Sequence, residues 1–187
     1  MRKFWIVLRP ALVCLAVMTL LCGVLYTATV TGIAQLFFPN QANGSVISIA
    51  RADGTIQEVG SVLIAQDFSD PKYLIGRPSG VSNISPTSEE QAAAVQERID
   101  WWHNFDPDNT KDIPADLITG SGSGVDPNIS PEAAEYQVAR IAKERSMDES
   151  DVRSIVEAYT TGRLLGIFGE PVVNVLKVNL ALDDLLG

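Results

Sequence analysis

The stretch ALVCLAVMTLLCGVLYTATVTGI, Ala11 to Ile33, carries no charged side chain, and the uncharged interval around it runs from Arg9 to Arg51. An α-helix rises about 1.5 Å per residue, so about 20 mostly apolar residues cross the hydrocarbon core of a bilayer. Residues 11–33 meet that length and predict a membrane-spanning helix. The competing reading is a cleaved signal peptide, whose apolar region is about 7–15 residues long and ends at a small-x-small site. Here the run is longer, and Thr27-Ala28-Thr29 makes a poor cleavage site. Neither Cys14 nor Cys22 follows the small residue of a lipoprotein signal. An uncleaved anchor is expected.

Flanking charge gives the orientation. Arg2, Lys3 and Arg9 precede the span, and no cation follows it until Arg51. Cytoplasmic flanks collect Lys and Arg, which predicts a cytoplasmic segment 1–10, a span 11–33, a linker 34–44 and an extracytoplasmic soluble domain 45–187. The expected location is a bacterial inner membrane, crossed once. All 23 Asp+Glu but only 11 of the 14 Lys+Arg lie beyond residue 40, a net charge of −12 for the domain. Such acidity argues against nucleic acid or anionic headgroups as partners. Both cysteines fall inside the span, so no disulfide staples the domain and its core must hold it.

Past the span, Pro39-Asn40-Gln41-Ala42-Asn43-Gly44 reads as a turn-rich linker. Ser45–Ala50 suits a strand, Asp53-Gly54 a hairpin turn, and Thr55–Ile64 a returning strand. Residues 67–86 are dense in Pro, Gly, Ser and Asp and predict an ordered loop. Three helices declare themselves by their starts. Ser88-x-x-Gln91 is a capping-box pattern ahead of Ala92–Trp102, with Ala94, Val95, Arg98, Ile99 and Trp102 at helical spacing. Ser130-Pro131-Glu132 sets an N-cap, a first-position proline and a first-turn acid before Ala133–Arg145. Asp148-x-x-Asp151 opens a helix that turns Val152, Ile155, Val156 and Tyr159 inward and ends at Gly162. Leu117-Ile118-Thr119 reads as a short strand running into Gly120–Gly124. The stretch 172–186 alternates like a strand yet also has helical spacing, and Asn174 behind Pro171 favours a helix. The fold expected is a mixed α+β domain with a small sheet behind one membrane helix.

No constellation of nucleophile, base and oxyanion donors assembles, so no catalytic residue is assigned. Ser121, Gly122, Ser123 and Gly124 form a glycine-serine run whose amides could cradle an anion if it opens a helix. It is not a Walker loop, because no Gly-Lys-Ser/Thr follows, and Val125 replaces the third glycine of a dinucleotide fingerprint. A structural turn is the plainer alternative. His103 is the single histidine, and Asp106, Asp108 and Asp112 lack the central glycine and closing glutamate of a calcium loop; no metal site is assigned. Trp101, Trp102 and Phe105 suit core or a partner-facing surface better than a ligand platform. Arg77, Arg163, Glu170, Asn174 and Asn179 sit among glycines and prolines, either tying loops together or building a docking face.

Several longer motifs recur in order along almost the whole chain: Gly60–Gln66, Gly76–Ser79, Ser82–Pro86, Asp116–Pro131 and Tyr136–Val138, then Gly162–Gly166, Gly169–Pro171 and Val173–Asp183. On these the chain resembles the C subunit of the high-affinity potassium-transporting P-type ATPase, the Kdp complex. It departs from the usual pattern in having Ala65 for glycine and Asn128 for histidine. Tyr159, Thr161 and Val172 stand where the family often has His, Glu and Arg. About a dozen residues common in the family are missing between Ser79 and Ser82, a loss a surface loop tolerates.

The resemblance implies an accessory subunit that assembles with a channel-like potassium-binding subunit and an ATP-hydrolysing P-type subunit, with lipid around its helix. It also implies a catalytic chaperone that raises the ATP affinity of the hydrolysing subunit. ATP and potassium then belong to the complex, and no cofactor is assigned to this chain. The candidate partner or nucleotide contacts are Gln66, Arg77, Ser121–Gly124, Asp126, Arg163, Glu170, Asn174 and Asn179. Two other readings compete: a nucleotide-binding subunit using the glycine-serine run, and an anchored periplasmic binding module tied to no pump.

Overall fold

The computed structural model describes residues 2–51, 54–80 and 83–185. Asp53 of the expected hairpin turn, Ser82 of the Ser82–Pro86 motif and Leu186 of the C-terminal segment lie outside them, as do the side chains of Arg2 and Lys3. The chain forms two units, Met1–Ser45 and Val46–Gly187.

The first unit is helical. Helix α1 (Arg2–Met18) passes through Pro10 into a π-helical stretch, Thr19–Tyr26, and on into α2 (Thr27–Phe37). Residues Phe4–Phe37 make one helix long and apolar enough to cross a membrane. Widening to the i→i+5 pattern displaces carbonyls from the usual ladder, and threonine hydroxyls reach back to bond there. Thr27 Oγ1 donates to the Cys22 carbonyl at 2.9 Å and Thr29 Oγ1 to that of Leu25 at 2.7 Å. In a medium without water, backbone groups must find such partners within the chain. A single turn, α3 (Pro39–Ala42), follows, and Asn43 braces it by donating to the Pro39 carbonyl at 2.7 Å.

The second unit begins with a two-stranded antiparallel ribbon, β1 (Val46–Ala50) against β2 (Ile56–Ser61), as expected. Its register slips between Ile47 and Ser48, and Gly60, at φ 147°, stands beside the irregularity. A Cβ there would sit 1.5 Å from the Gln66 side-chain nitrogen, so only glycine lets Gln66 pack against the ribbon.

Three helices start where their caps predicted. In α4 (Glu89–Phe105) Ser88 Oγ accepts from the Gln91 amide, and in α6 (Pro131–Arg145) Ser130 Oγ accepts from Ala133. Helix α7 (Glu149–Ala158) begins after Asp148 and buries Val152 and Val156, but stops short of the expected end at Gly162 because Thr160 and Thr161 pair with Val173 and Val172 instead. The expected strand at Leu117-Ile118-Thr119 is instead a one-turn helix, α5 (Ala115–Ile118). Pro114 precedes it, and Leu117 turns into the core and lends its carbonyl to the Trp102 indole at 3.1 Å. A second small sheet joins β3 (Asn128–Ile129), β4 (Thr160–Thr161) and β5 (Val172–Asn174) in the order β3-β5-β4, all antiparallel. The ambiguous C-terminal segment resolves into β5 and then α8 (Val175–Leu182), capped by Asn174, whose side chain accepts from the Lys177 amide.

The core lies between α6, α8 and the second sheet, around Ile129, Ala133, Ile141, Val152, Val173 and Val178. Across it runs a segment, Pro71–Ile75, that leaves a turn closed by the Tyr73 amide on the Asp70 carbonyl, belongs to no sheet and still has its backbone paired. Asn179 accepts from the Leu74 amide at 2.7 Å and donates to the Leu74 carbonyl at 2.9 Å. Gln137 treats Ile75 the same way, at 2.8 and 3.0 Å. Arg140 donates to the Pro71 and Tyr73 carbonyls, and Arg145 to that of Lys72. Gln137 and Asn179 are at most 1 % exposed, so losing either strands backbone groups away from water.

Asn179→Leu orphans both Leu74 groups, each worth about 1–3 kcal/mol when buried and unpaired. It should therefore lower stability by about 2–6 kcal/mol in chemical denaturation of the detergent-solubilised chain, while Glu157→Ala on an exposed helix face leaves it unchanged within error. Tyr73, Asp183 and Arg145 give a pH signature. The Tyr73 hydroxyl donates to Asp183 at 2.6 Å, and Arg145 pairs with the same carboxylate at 2.7 Å. The bond to Asp183, with burial, raises the Tyr73 pKa above the ordinary tyrosine value. Burial pushes Asp183 upward, but the bonds from Tyr73 and Arg145 outweigh it and leave the carboxyl below its ordinary value. A raised tyrosine stabilises below its unfolded pKa and loses that contribution as pH rises through the folded one; a depressed carboxylate loses its contribution as pH falls. Stability should decline above about pH 10 in the native chain, and Tyr73→Phe should remove that part of the decline.

Candidate functional site

The glycine-serine run is fixed in place from Gly76-Arg77-Pro78. Arg77 Nη1 pairs with Asp116 Oδ1 at 3.1 Å, and Nη2 reaches the carbonyls of Thr119 and Gly120. The other Asp116 oxygen accepts from the Ser130 amide at 2.7 Å. One carboxylate therefore joins the arginine, the entry to the run and the cap of α6. With both side chains about one-fifth exposed, this pair is better shielded than the ion pairs on the outer helix faces.

Inside the run the hydroxyls turn inward to the backbone. Ser121 Oγ accepts from the Gly124 amide at 3.0 Å and from that of Asp126 at 3.4 Å, while Ser123 Oγ accepts from Val125 at 3.2 Å. The Gly124 and Val125 carbonyls accept from Gly80 and Ala65. The run does not open a helix, because β3 and the Ser130 cap intervene before α6. An anion cradle needs free amides aligned at a helix start, and here the amides of Gly124, Val125 and Asp126 are already used.

The predicted residues are brought together only in part. Gln66, Arg77 and Asp126 line one narrow crevice beside Gly76 and Val175. Ser121 and Gly122 border a separate groove of about 370 Å³ with Ser79, Gly80, Gln91 and Arg98. Asp126 Oδ1 accepts from the Asn128 amide, which turns the chain into β3. Asn174 donates to the Val62 carbonyl at 3.0 Å and so links the Gly60–Gln66 motif to the second sheet. Asn179 leaves the candidate surface altogether, since it is 1 % exposed and spent on Leu74. Arg163 and Glu170 stand elsewhere, paired with each other at 2.6 Å.

Of the aromatic trio, Trp102 is core and meets Tyr136 edge-on, while Trp101 is 43 % exposed and stacks on Phe105 at 4.4 Å. Asp106 is buried and holds Asn109; Asp108 is exposed and paired with Lys143 at 2.7 Å.

Sequence reasoning named the two ends of one exposed tip, Arg163 and Glu170, but missed the apolar residues between them. Every residue from Thr161 to Glu170 is exposed, among them Leu164, Leu165, Ile167 and Phe168. The signal available was an apolar run punctuated by Gly162, Gly166 and Gly169, a pattern shared by buried turns.

Residues 8–184 match the family described as "K+-transporting ATPase, c chain". The chain is 51 % identical over 188 residues to a potassium-transporting ATPase KdpC subunit of Listeria monocytogenes serotype 4a (strain HCC23), covering 99 % of each sequence. It is 44 % identical over 205 residues to the subunit of that name from Clostridium botulinum (strain Alaska E43 / Type E3), with both chains fully covered. Against that from Sorangium cellulosum (strain So ce56) it is 48 % identical, over 94 % of this chain and 96 % of the relative. With the match spanning the apolar N-terminal helix, ribbon and core alike, the chain belongs to the KdpC family of potassium-transporting ATPase subunits.

Proposed function

We propose that this chain is a non-catalytic accessory subunit of an ATP-driven potassium import complex, held in the bacterial inner membrane by its first helix. The observation that carries the reading is the family match across residues 8–184, joined to one apolar helix, Phe4–Phe37, of spanning length. The partners are a channel-like potassium-binding subunit and an ATP-hydrolysing P-type subunit.

The folded domain, residues 45–187, lies outside the cytoplasm in this reading. Support comes from Arg2, Lys3 and Arg9 ahead of the span and from the absence of cations between it and Arg51. The glycine-serine run then serves as a structural knot and subunit contact rather than a phosphate site, consistent with the use of its amides by Ser121 and Ser123. A domain outside the cytoplasm cannot meet ATP, so a chaperone effect on the hydrolysing subunit acts through the anchor helix. Small residues on that helix, Gly23, Ala28, Thr29 and Gly32, permit close approach of partner helices. An acidic domain over the potassium entrance raises the local cation concentration, an effect screened beyond about 8 Å at physiological salt.

Sidedness is tested with Ser123→Cys, an exposed position, in a chain whose Cys14 and Cys22 are replaced by serine. A membrane-impermeant thiol reagent should label it in whole cells, and labelling only after cell breakage would refute the orientation. The chaperone role is tested by comparing the pump with and without this subunit. Its removal should raise the apparent KM for ATP about 5-fold or more, the usual scale of coupling between sites, and an unchanged KM would exclude the role.

A further inference from the structure

Strands β4 and β5 form a hairpin whose loop leaves the domain, and from Thr161 to Glu170 no residue is buried. The loop is not loose. Leu164 and Phe168 exchange two backbone hydrogen bonds, at 2.8 and 3.0 Å, and the Arg163–Glu170 ion pair clasps the stem below them. Leu165 and Gly166 make the reversal at φ 54° and 75°, both in the left-handed region. Glycine takes that conformation freely, whereas for a bulky residue such as leucine it is an outlier, costing of order 1–2 kcal/mol. Leu165 is therefore strained, and at 81 % exposed it is also the most exposed of the large apolar residues in the chain's described part.

Leu164, Ile167 and Phe168 are 69, 74 and 61 % exposed. Four large apolar side chains, each more than 60 % exposed within five residues, make the kind of apolar patch that marks an interaction site on a monomer. Water solvates this surface poorly, and the strain at Leu165 holds it in view, which points to an occupant.

We infer that the tip Leu164–Phe168 is a docking knob that enters an apolar pocket on another polypeptide of the pump. This rests on the accessory-subunit reading above. Charge separates a protein pocket from the lipid surface as occupant. The charges that flank the tip in sequence, Arg163 and Glu170, pair with each other, while the domain as a whole carries a net charge of −12. Anionic headgroups repel such a domain, and the tip lacks the Trp, Tyr and Lys that settle loops at a bilayer interface. A neutral apolar centre inside an acidic surround instead matches an apolar pocket rimmed by neutral or basic groups. A standard interface buries about 800 Å² per partner, so the knob supplies the anchor of a wider contact.

The test uses the full complex in cells, with a photoreactive phenylalanine analogue at Leu165 and, as control, at the exposed Glu157 of α7. Irradiation should join position 165, not 157, to one of the other pump subunits, identified by mass. Leu165→Asp together with Phe168→Asp, placed in the chain that carries the analogue at Ile167, should cut that product at least ten-fold with no change in the chain's unfolding curve. An adduct with phospholipid only, with a second copy of this chain, or at both positions equally would overturn the inference, as would no adduct. Pull-down of the other subunits by the unmodified tagged chain is measured in parallel. If that fails, the subunit reading falls; if it succeeds without the adduct, the knob alone falls.

Discussion

Everything in the folded domain is arranged around one segment of backbone that has no neighbouring strand. Leu74 is fully buried, so its amide and carbonyl are away from water, and the neighbouring Ile75 is half-buried. Two side-chain amides replace the missing strand: Asn179 from α8 for Leu74 and Gln137 from α6 for Ile75. Carboxamides suit this place because each offers an acceptor oxygen and an N–H donor side by side, as a neighbouring strand's backbone would, with one N–H to spare. Since the amides come from different helices, the segment can be satisfied only when α6 and α8 are both docked. Burial and pairing therefore form together, which makes the core cooperative rather than a loose stack of helices.

The constraint reaches the glycine-serine run through Arg77, two residues past Ile75. Once that backbone is held, the guanidinium can meet Asp116, and Asp116 can meet the amide ahead of α6. The run then closes on its own hydroxyls. A chemist reading the sequence sees amides and small residues suited to a phosphate; accounting for each N–H in space shows Gly124, Val125 and Asp126 already engaged. The Arg163–Glu170 tip is the opposite case. There the loop's backbone hydrogen bonds close on the loop itself, and the apolar side chains stay exposed among the described residues.

Helix starts were legible because capping is local. A hydroxyl at Ser88 or Ser130 bonds an amide three residues away, and its effect needs no distant partner. The same locality misled at Leu117-Ile118-Thr119, where apolar and β-branched residues suggested a strand. Docking of Leu117 beneath Trp102 made a helical turn instead. For 172–186 both periodicities were present, and the Asn174 cap together with the pairing of Val173 divided the segment between strand and helix. Among the site residues, Asn179 could be read either as a tie to loop backbone or as part of a docking face, and the first is what the fold makes of it. Nothing local reveals that its amide serves a backbone 105 residues away.

By itself, then, the sequence determined those features whose physics acts over a few residues or through composition alone. These are an apolar helix of spanning length, an acidic domain without disulfides, capped helices, and enough motif to name the family. Tertiary structure alone decided which polar groups are spent in the core and which apolar groups are left outside it. A residue's role there depends on partners distant in the chain, and only folding brings Gln137 and Asn179 to Leu74 and Ile75 or leaves Leu165 exposed.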